Sequence, residues 1–424
     1  MEGEPNDDYG VVSTRKGQPM TLPDNTPPST DEFRQDVRQF FASTFPGALD
    51  GINGVLNRGR KWRAMLYDNG LAGIDYPIEY GGRGLSPEHL DVYKQESQGL
   101  IPREEAVFGI SIGMALPTIR DHGSHELKAR FLASGLSGEE VWCQMYSEPG
   151  AGSDLAGLST RAELDGDEWV VSGQKVWTSG AQHSQFAILL ARTNPDAPKH
   201  QGITMFVLPV EQPGVTVRPL VQMTGESEFN EVFLDEARIP RTWVVGEVNA
   251  GWAMAVALLA HERVQTGTGS MAGSATQKSK AGRSPIPVTQ LIDLARENGQ
   301  HDNPVVRQEL ARLYSGEKIV SYLGRRGGTH PSIGKLWRTK QGRAAADLAA
   351  SLAFPAAPAW GQDLSDEANA DKDYFAYHIL NCRGMSLGGG TDEVQKNTLG
   401  ERALGLPREP GPDRNTPFKE LLKN

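Results

Sequence analysis

The stretch Ser147-Glu-Pro-Gly-Ala-Gly-Ser-Asp154, entered through Met145-Tyr146, decides how the rest of the chain is read. Its glycines let backbone come close to a flat or anionic ligand, and its two serines offer hydroxyls to hydrogen-bond one. Taken alone, an ordered turn is the plainer reading. What surrounds it gives it weight, because it stands where the composition changes from helical to β-type periodicity.

Downstream come short β-type runs separated by turn residues: Glu168 to Val171, Phe186 to Ala191, Ile203 to Val210, Val215 to Leu220 and Asn230 to Leu234, with Asp165-Gly166 as a tight-turn pair. They predict a small antiparallel β domain, a barrel or a sandwich. Upstream, Phe33, Val37, Phe40 and Phe41 fall at helical spacing, with Thr30 or Asp31 placed to cap the first turn. Helical patterning continues past Trp62, is broken by the glycine-rich Gly70–Gly84 segment, and resumes through Leu90 and Val107. From Gly251 helices return, starting with the almost wholly apolar run Trp252 to Ala260, which must lie inside something. Gly267 to Pro287 and Pro355 to Asp371 read as loops. The predicted organisation is an α+β multidomain chain: a disordered arm (1–30), an N-terminal helical domain (31–140), a central antiparallel β domain (141–245) and a C-terminal helical domain (246–424).

Bulk properties narrow the function. A length of 424 residues suits two or three packed domains. A formal charge of -10 without a sustained basic stripe argues against a nucleic-acid surface. Cys143 and Cys382 lie far apart, without metal or redox spacing, which fits buried thiols in a reducing compartment and a cytoplasmic location. The arm has neither the apolar core of a signal peptide nor a basic amphipathic helix, and no stretch reaches the roughly 18 to 20 apolar residues of a membrane span.

Two further segments suggest chemistry. Gly388-Gly-Gly-Thr-Asp-Glu-Val-Gln395 is a glycine run opening onto a helix with Thr391 as N-cap, which is either a site for a diphosphate or oxyanion or a plain connector. In His261-Glu262-Arg263, Glu262 continues the stripe Trp252, Ala255, Leu259. Burial raises a carboxyl's pKa and a neighbouring guanidinium lowers it, so Glu262 is either a usable base or an ion-pair residue that orients the helix.

Together the motifs resemble the acyl-CoA dehydrogenase family, from about Phe33 to Arg408. Tyr76-Pro-Ile-Glu-Tyr-Gly-Gly-Arg-Gly84 resembles its N-terminal-domain signature, Met145 to Asp154 its flavin and thioester loop, and Gly173-Gln-Lys-Val-Trp-Thr-Ser179 the strand lying against the flavin ring. Asn230 to Asp235, Val245-Gly246 and Gly251-Trp252 resemble the run into the central helix, and Glu401-Arg-Ala-Leu-Gly-Leu-Pro407 the usual ending.

The resemblance implies FAD as cofactor, a homo- or hetero-oligomer built from dimers, and α,β-dehydrogenation of an acyl-CoA substrate. Electrons then pass to an electron-transfer flavoprotein or similar acceptor. It implies that Tyr146, Ser147, Trp177, Thr178 and Ser179 meet the flavin, that Ser153 bonds coenzyme A or the flavin diphosphate, and that Thr391 and Glu393 meet the adenine and diphosphate. Arg263 would lie by the substrate.

The chain departs from the family pattern in three places. Where many members carry a base in Tyr-Glu-Gly-Thr, this sequence has Gly388-Gly389-Gly390-Thr391, so the resemblance shifts the base to Glu262 on the central helix and leaves Gly389 its backbone N–H for the thioester carbonyl. The emptied volume suits a branched or ring-bearing acyl group. The family's arginine-aromatic-glycine segment is replaced by Lys278, Lys280 and Arg283 without an aromatic, and its Gln-x-x-Gly-Gly segment is missing. Two rival readings therefore stand beside the dehydrogenase: a non-catalytic partner subunit of a hetero-oligomer, and an oxygen-using acyl-CoA oxidase-like flavoenzyme.

Overall fold

The computed structural model describes residues 27–44, 47–267, 285–326, 328–353, 370–408 and 415–421, with backbone alone at 262–267, 324–325 and 370–373. The expected arm lies almost wholly outside these residues, as do most of the two expected loops, with Lys278, Lys280 and Arg283 among them.

Helix α1 (Thr30–Thr44) buries Phe33, Val37, Phe40 and Phe41, the four residues whose spacing marked it. Its cap is Ser29, not Thr30 or Asp31. Ser29 N donates to Glu32 Oε2 at 2.8 Å and Glu32 N to Ser29 Oγ at 3.3 Å, a reciprocal capping box one residue upstream of the expected cap. With α2 (Val55–Asp68) and α3 (Pro87–Glu96), α1 closes over Trp62 and Leu66. The turn between α2 and α3 is jammed: Gly84 N donates to Tyr76 O at 2.7 Å, and a Cβ at Gly82 would stand 2.2 Å from the same oxygen. The glycines of this signature are thus accounted for by chain packing. A π-turn (Ser111–Ala115) leads into α4 (Leu116–His122), and α5 (His125–Ser137) follows.

The central strands are β1 (Trp142–Met145), β2 (Arg161–Asp165), β3 (Glu168–Ser179), β4 (Phe186–Arg192), β5 (Ile203–Pro209), β6 (Val215–Leu220), β7 (Phe229–Pro240) and β8 (Val244–Val245). They form one sheet in the order β6-β7-β3-β2-β4-β5-β8, with β1 added to β4. Asp165-Gly166 makes the expected turn, since Asp165 pairs Glu168. Most pairings are antiparallel, as expected, and β1 and β2 run parallel to β4. The unbroken apolar runs of β4 and β5 have a physical reason. Ile188, Leu190, Ile203, Met205 and Val207 face α4, α5 and α6, while Ala187, Leu189, Phe206 and Leu208 fill the other side with β2, β3 and β7. Strands covered on both faces lose polar alternation.

Helix α6 (Gly251–Gly267) starts hard against β5, where a Cβ on Gly251 would fall 2.6 Å from the Thr204 carbonyl carbon. It packs on β5, α4, the π-turn and α9 (Pro331–Leu352). Ala255 and Leu258 are fully buried, but Val256 is 39% exposed and Ala253 and Ala260 are exposed with it. The helix is therefore covered along one side and bare along another, rather than enclosed all round. The remaining helices are α7 (Val288–Glu297), α8 (Pro304–Arg325), α10 (Ala370–Asn381) and the short α11 (Asp392–Thr398), which continues as a π-turn, Leu399–Ala403. Both cysteines are buried free thiols, and burial pushes Cys143 up to about 12. Among the described residues no helix is long and apolar enough to cross a membrane.

Candidate active site

The 147–154 loop is held by a buried ion pair. Lys175 on β3 is fully buried and places Nζ 2.8 Å from Glu148 Oε1 and 3.1 Å from Tyr146 O. The Glu148 carboxylate also accepts from Ser159 N at 2.6 Å and Thr160 N at 2.9 Å. Burial opposes its ionisation, but Lys175 and these donors hold the carboxyl below the usual carboxylate range. Burial lowers the Lys175 ammonium from its ordinary value. Glu148 and Ala151 exchange backbone bonds at 3.1 and 3.0 Å, closing the loop on itself, and Val176 N donates to Ser147 O at 2.9 Å, laying the loop beside β3. The far end is pinned by Lys199, whose Nζ lies 2.8 and 2.9 Å from the two oxygens of Asp154. Between these anchors Gly152 and Ser153 are exposed, and the space a Cβ on Gly152 would enter is open.

Beside the loop, β3 breaks register with β7 between Lys175 and Thr178. Trp177 occupies the break at φ +62°, a region a bulky L-residue enters only when its surroundings force it. Its indole is 59% exposed and stands edge-on to Phe229, 5.7 Å between centroids. Thr178 points the other way: it is fully buried, its carbonyl accepts from Asn230 Nδ2 at 3.0 Å, and its Oγ1 is buried with no hydrogen-bond partner among the described residues. Ser179 is half-buried and Tyr146 is buried.

On the helical side, the α6 backbone carries Glu262 and Arg263, whose side chains lie outside the described atoms. Position 262 lies four residues beyond Leu258 on the α6 backbone. The preceding residue anchors this turn: His261 Nε2 is 3.2 Å from Asp121 Oδ2, Arg120 Nε is 2.7 Å from Asp121 Oδ1, and Arg120 continues to Asp75 at 2.7 Å. Burial pulls the His261 imidazole below its ordinary value against the opposing pull of Asp121.

Gly389 and Gly390 have φ of +67° and +83° and are exposed. Thr391 is the N-cap of α11, as expected, its Oγ1 accepting from Val394 N at 3.2 Å. α11 has seven residues, and its first turn carries Asp392 and exposed Glu393, so the protein's own carboxylates already meet the helix dipole. Asp392 is in turn bound by Lys335 at 2.9 Å and Arg343 at 3.2 Å. The Gly389 carbonyl accepts from Gln395 Nε2 at 2.8 Å.

The expected site residues thus fall in two groups. Tyr146, Ser147, Ser153, Trp177, Thr178 and Ser179 are gathered by β1 and β3, whereas Gly389, Thr391 and Glu393 belong to the helical part, where α9 packs on both α6 and α11. Sequence reasoning missed the Glu148–Lys175 pair, though both residues lie inside the quoted motifs. It also missed Arg192, Lys199 and Phe229, which no local pattern marks. Among the described residues no group of three or more His, Cys, Asp or Glu side chains could hold a metal ion.

Comparison with known proteins agrees with this fold. The acyl-CoA dehydrogenase N-terminal domain matches residues 27–139 and the acyl-CoA dehydrogenase middle domain residues 143–237. Acyl-CoA dehydrogenase IpdE1 of Mycobacterium tuberculosis is 36% identical over 401 residues, covering 89% of this chain and 98% of its own. Acyl-CoA dehydrogenase FadE34 of the same organism is 37% identical over 360 residues, 82% of this chain and 46% of its own. Among solved structures, the Tcur3481-Tcur3483 steroid ACAD matches with a TM-score of 0.69 at 28% identity, covering 91% of this chain and 99% of that one. The ChsE4-ChsE5 complex from Mycobacterium tuberculosis matches with a TM-score of 0.68 at 29% identity, covering 92% and 100%. With near full-length identity to IpdE1 and the helical, β, helical order of those structures, the chain belongs to the acyl-CoA dehydrogenase family and is an oxidoreductase of that type.

Proposed function

We propose that the protein carries out FAD-dependent α,β-dehydrogenation of a ring-bearing, steroid-type acyl-CoA thioester, with Glu262 as the base. The observation that carries this reading is Trp177: a bulky, exposed indole held at positive φ beside a hydroxyl- and glycine-bearing loop is a face built for a flat ring system. Tyr146, Ser147 and Ser179 border that face, Thr178 adds an orphan buried hydroxyl behind it, and Ser153 lies on the exposed arc of the loop. A flavin therefore fits the residues present, with Thr391 and Glu393 assigned to its adenine and diphosphate end.

FAD, when bound, supplies the acceptor for the β hydrogen and its electron pair. Glu262 takes the α proton, so that the C–H bonds at Cα and Cβ are exchanged for a double bond. The Gly389 N–H donates to the thioester oxygen as negative charge builds there, and a donor already in place for that charge lowers the barrier. Arg263 neighbours the base and the acyl-CoA. The three glycines at 388–390 put no side chain where many relatives carry their glutamate, and the likeness to the Tcur3481-Tcur3483 steroid ACAD supports a bulky ring system as the acyl group. An electron-transfer flavoprotein as acceptor and a cytoplasmic location belong to the same reading.

The test is anaerobic titration of the purified protein with straight, branched and steroid-type acyl-CoAs, following flavin absorbance, with Glu262→Gln alongside. Bleaching by the ring-bearing thioester in the native protein only is the expected result; bleaching that survives the substitution removes Glu262 as base. Oxygen consumption without an added acceptor would instead identify an oxidase. A second reading, a partner subunit in a hetero-oligomer, is favoured by the two-component names of both structural relatives. It predicts a colourless protein that turns yellow only with a second chain.

A further inference from the structure

The segment 415–421 is distant in sequence from the β domain but bound to it. Phe418 N donates to Ala197 O at 2.9 Å and Lys419 N to Pro195 O at 3.0 Å, and Lys419 Nζ meets Asp196 Oδ1 at 2.6 Å. The Phe418 ring lies flat over Arg192, with the guanidinium carbon 3.7 Å from the ring centroid. That guanidinium is itself an anchor: it is 4% exposed and donates to Ala156 O at 2.7 Å, Leu158 O at 3.2 Å and Lys199 O at 2.8 Å. Ala156 and Leu158 directly follow the 147–154 loop, and Lys199 holds the loop's last residue, Asp154.

Two routes therefore run from one ring to one loop. In the first, the Phe418 ring covers one face of the Arg192 guanidinium, and a guanidinium kept from water keeps its bonds to the turn behind the loop. In the second, the backbone of 418–419 fixes residues 195–197, and with them the neighbouring Lys199 whose ammonium pins Asp154. Burial pulls Arg192 down to about 10 against the opposing pull of Glu148.

We propose that the 415–421 segment is a strap whose Phe418, acting through Arg192 and the 195–199 loop, is a positioning residue that sets where Ser153 stands for the coenzyme A thioester. The kinetic consequence rests on the function proposed above; the mechanical one does not.

The test compares the full-length native protein with Phe418→Ala and Phe418→Tyr by two readouts. Hydrogen exchange followed by mass spectrometry should quicken about tenfold in peptides spanning 147–158 of Phe418→Ala and stay unchanged in β5, residues 203–209. In turnover with whichever acyl-CoA bleaches the native protein, KM should rise roughly five- to tenfold while kcat stays within about twofold. Phe418→Tyr keeps the ring and should restore both. Unchanged exchange at 147–158, or exchange that quickens equally in β5, overturns the strap. A fall in kcat at constant KM overturns its role toward the thioester. Lys419→Ala, which loosens the same dock at the surface, stands in if Phe418→Ala does not fold. A protein that bleaches with no thioester would sink the proposed function while the exchange result still decides the strap.

Discussion

Replacing Lys175 by methionine would leave the Glu148 carboxylate in place, buried, and stripped of its only cationic partner within hydrogen-bond reach among the described residues. Removing one member of a buried pair costs about 3–5 kcal/mol, because the survivor is an uncompensated charge. Here the survivor keeps the Ser159 and Thr160 N–H groups, which places the expected loss near the lower end, about 3 kcal/mol. Glu148→Gln alone strands the ammonium with Tyr146 O and should cost about 2 kcal/mol, since burial already favours its neutral form. In the double variant the amide oxygen can replace only one of the two carboxylate oxygens that accept from Ser159 N and Thr160 N, but no buried charge is left and the methionine fills the lysine's volume, so the loss should be about 3 kcal/mol, short of the sum. Urea unfolding followed by circular dichroism on the four proteins closes the cycle. The sign with pH is a second check. A carboxyl whose folded pKa is depressed contributes stability above its unfolded value, about 4.3, and loses it as pH falls through the folded value. The gap between native and Lys175→Met should therefore be widest above about pH 5 and narrow in acid. A single-variant loss below about 1 kcal/mol, or strict additivity in the double variant, would refute the argument that this pair carries the loop.

Trp177→Gly removes both the indole and the positive-φ strain, worth about 1–3 kcal/mol, so stability should hold within about 1 kcal/mol of native while FAD retained through gel filtration drops at least about tenfold. Equal flavin content in the two proteins would count against Trp177 as the flavin face. His378, 5% exposed between Tyr374 and Tyr377, is pushed by burial down to about 4 from 6.5. Its neutral form is favoured in the fold, so the unfolded chain binds the proton first as pH falls below 6.5 and stability drops until about 4. Between pH 7 and 5 this amounts to about 2 kcal/mol, seen as a fall in Tm that His378→Leu should largely abolish. A Tm that falls equally in that variant assigns the acid sensitivity elsewhere.

The elements that could be read from sequence were those whose neighbours along the chain determine them. Phe33, Val37, Phe40 and Phe41 drew α1 because a helix repeats its covered face every three to four residues, although the cap shifted to Ser29, since adjacent Ser, Thr and Asp compete for one position. Ile203 to Val210 was legible as a strand, but not why it is apolar almost throughout, which follows from cores on both faces. For α6, apolar composition correctly told of burial at Ala255 and Leu258 and wrongly extended it to Val256, because composition does not say which side another element will cover. The loop at 147–154 and the strand ending in Ser179 stood out through their glycines and aromatics. The positive φ of Trp177, the pairing of Glu148 with Lys175, and the docking of Phe418 on Arg192 depend on residues distant in sequence, and no local pattern announces them.

The exposure of Trp177 also has an optical consequence. It is the one exposed tryptophan among the described residues, while Trp62 and Trp142 are almost wholly shielded from solvent. An indole in water emits at longer wavelength than one in an apolar interior, so excitation at the red edge of the tryptophan band favours light from this position over that from the shielded indoles. A ring stacked on that indole would quench its emission and take up its excitation energy, while the shielded indoles continued to report the folded core. The protein thus carries its own built-in fluorophore at the proposed binding face, and occupancy can be followed in real time on the unlabelled molecule.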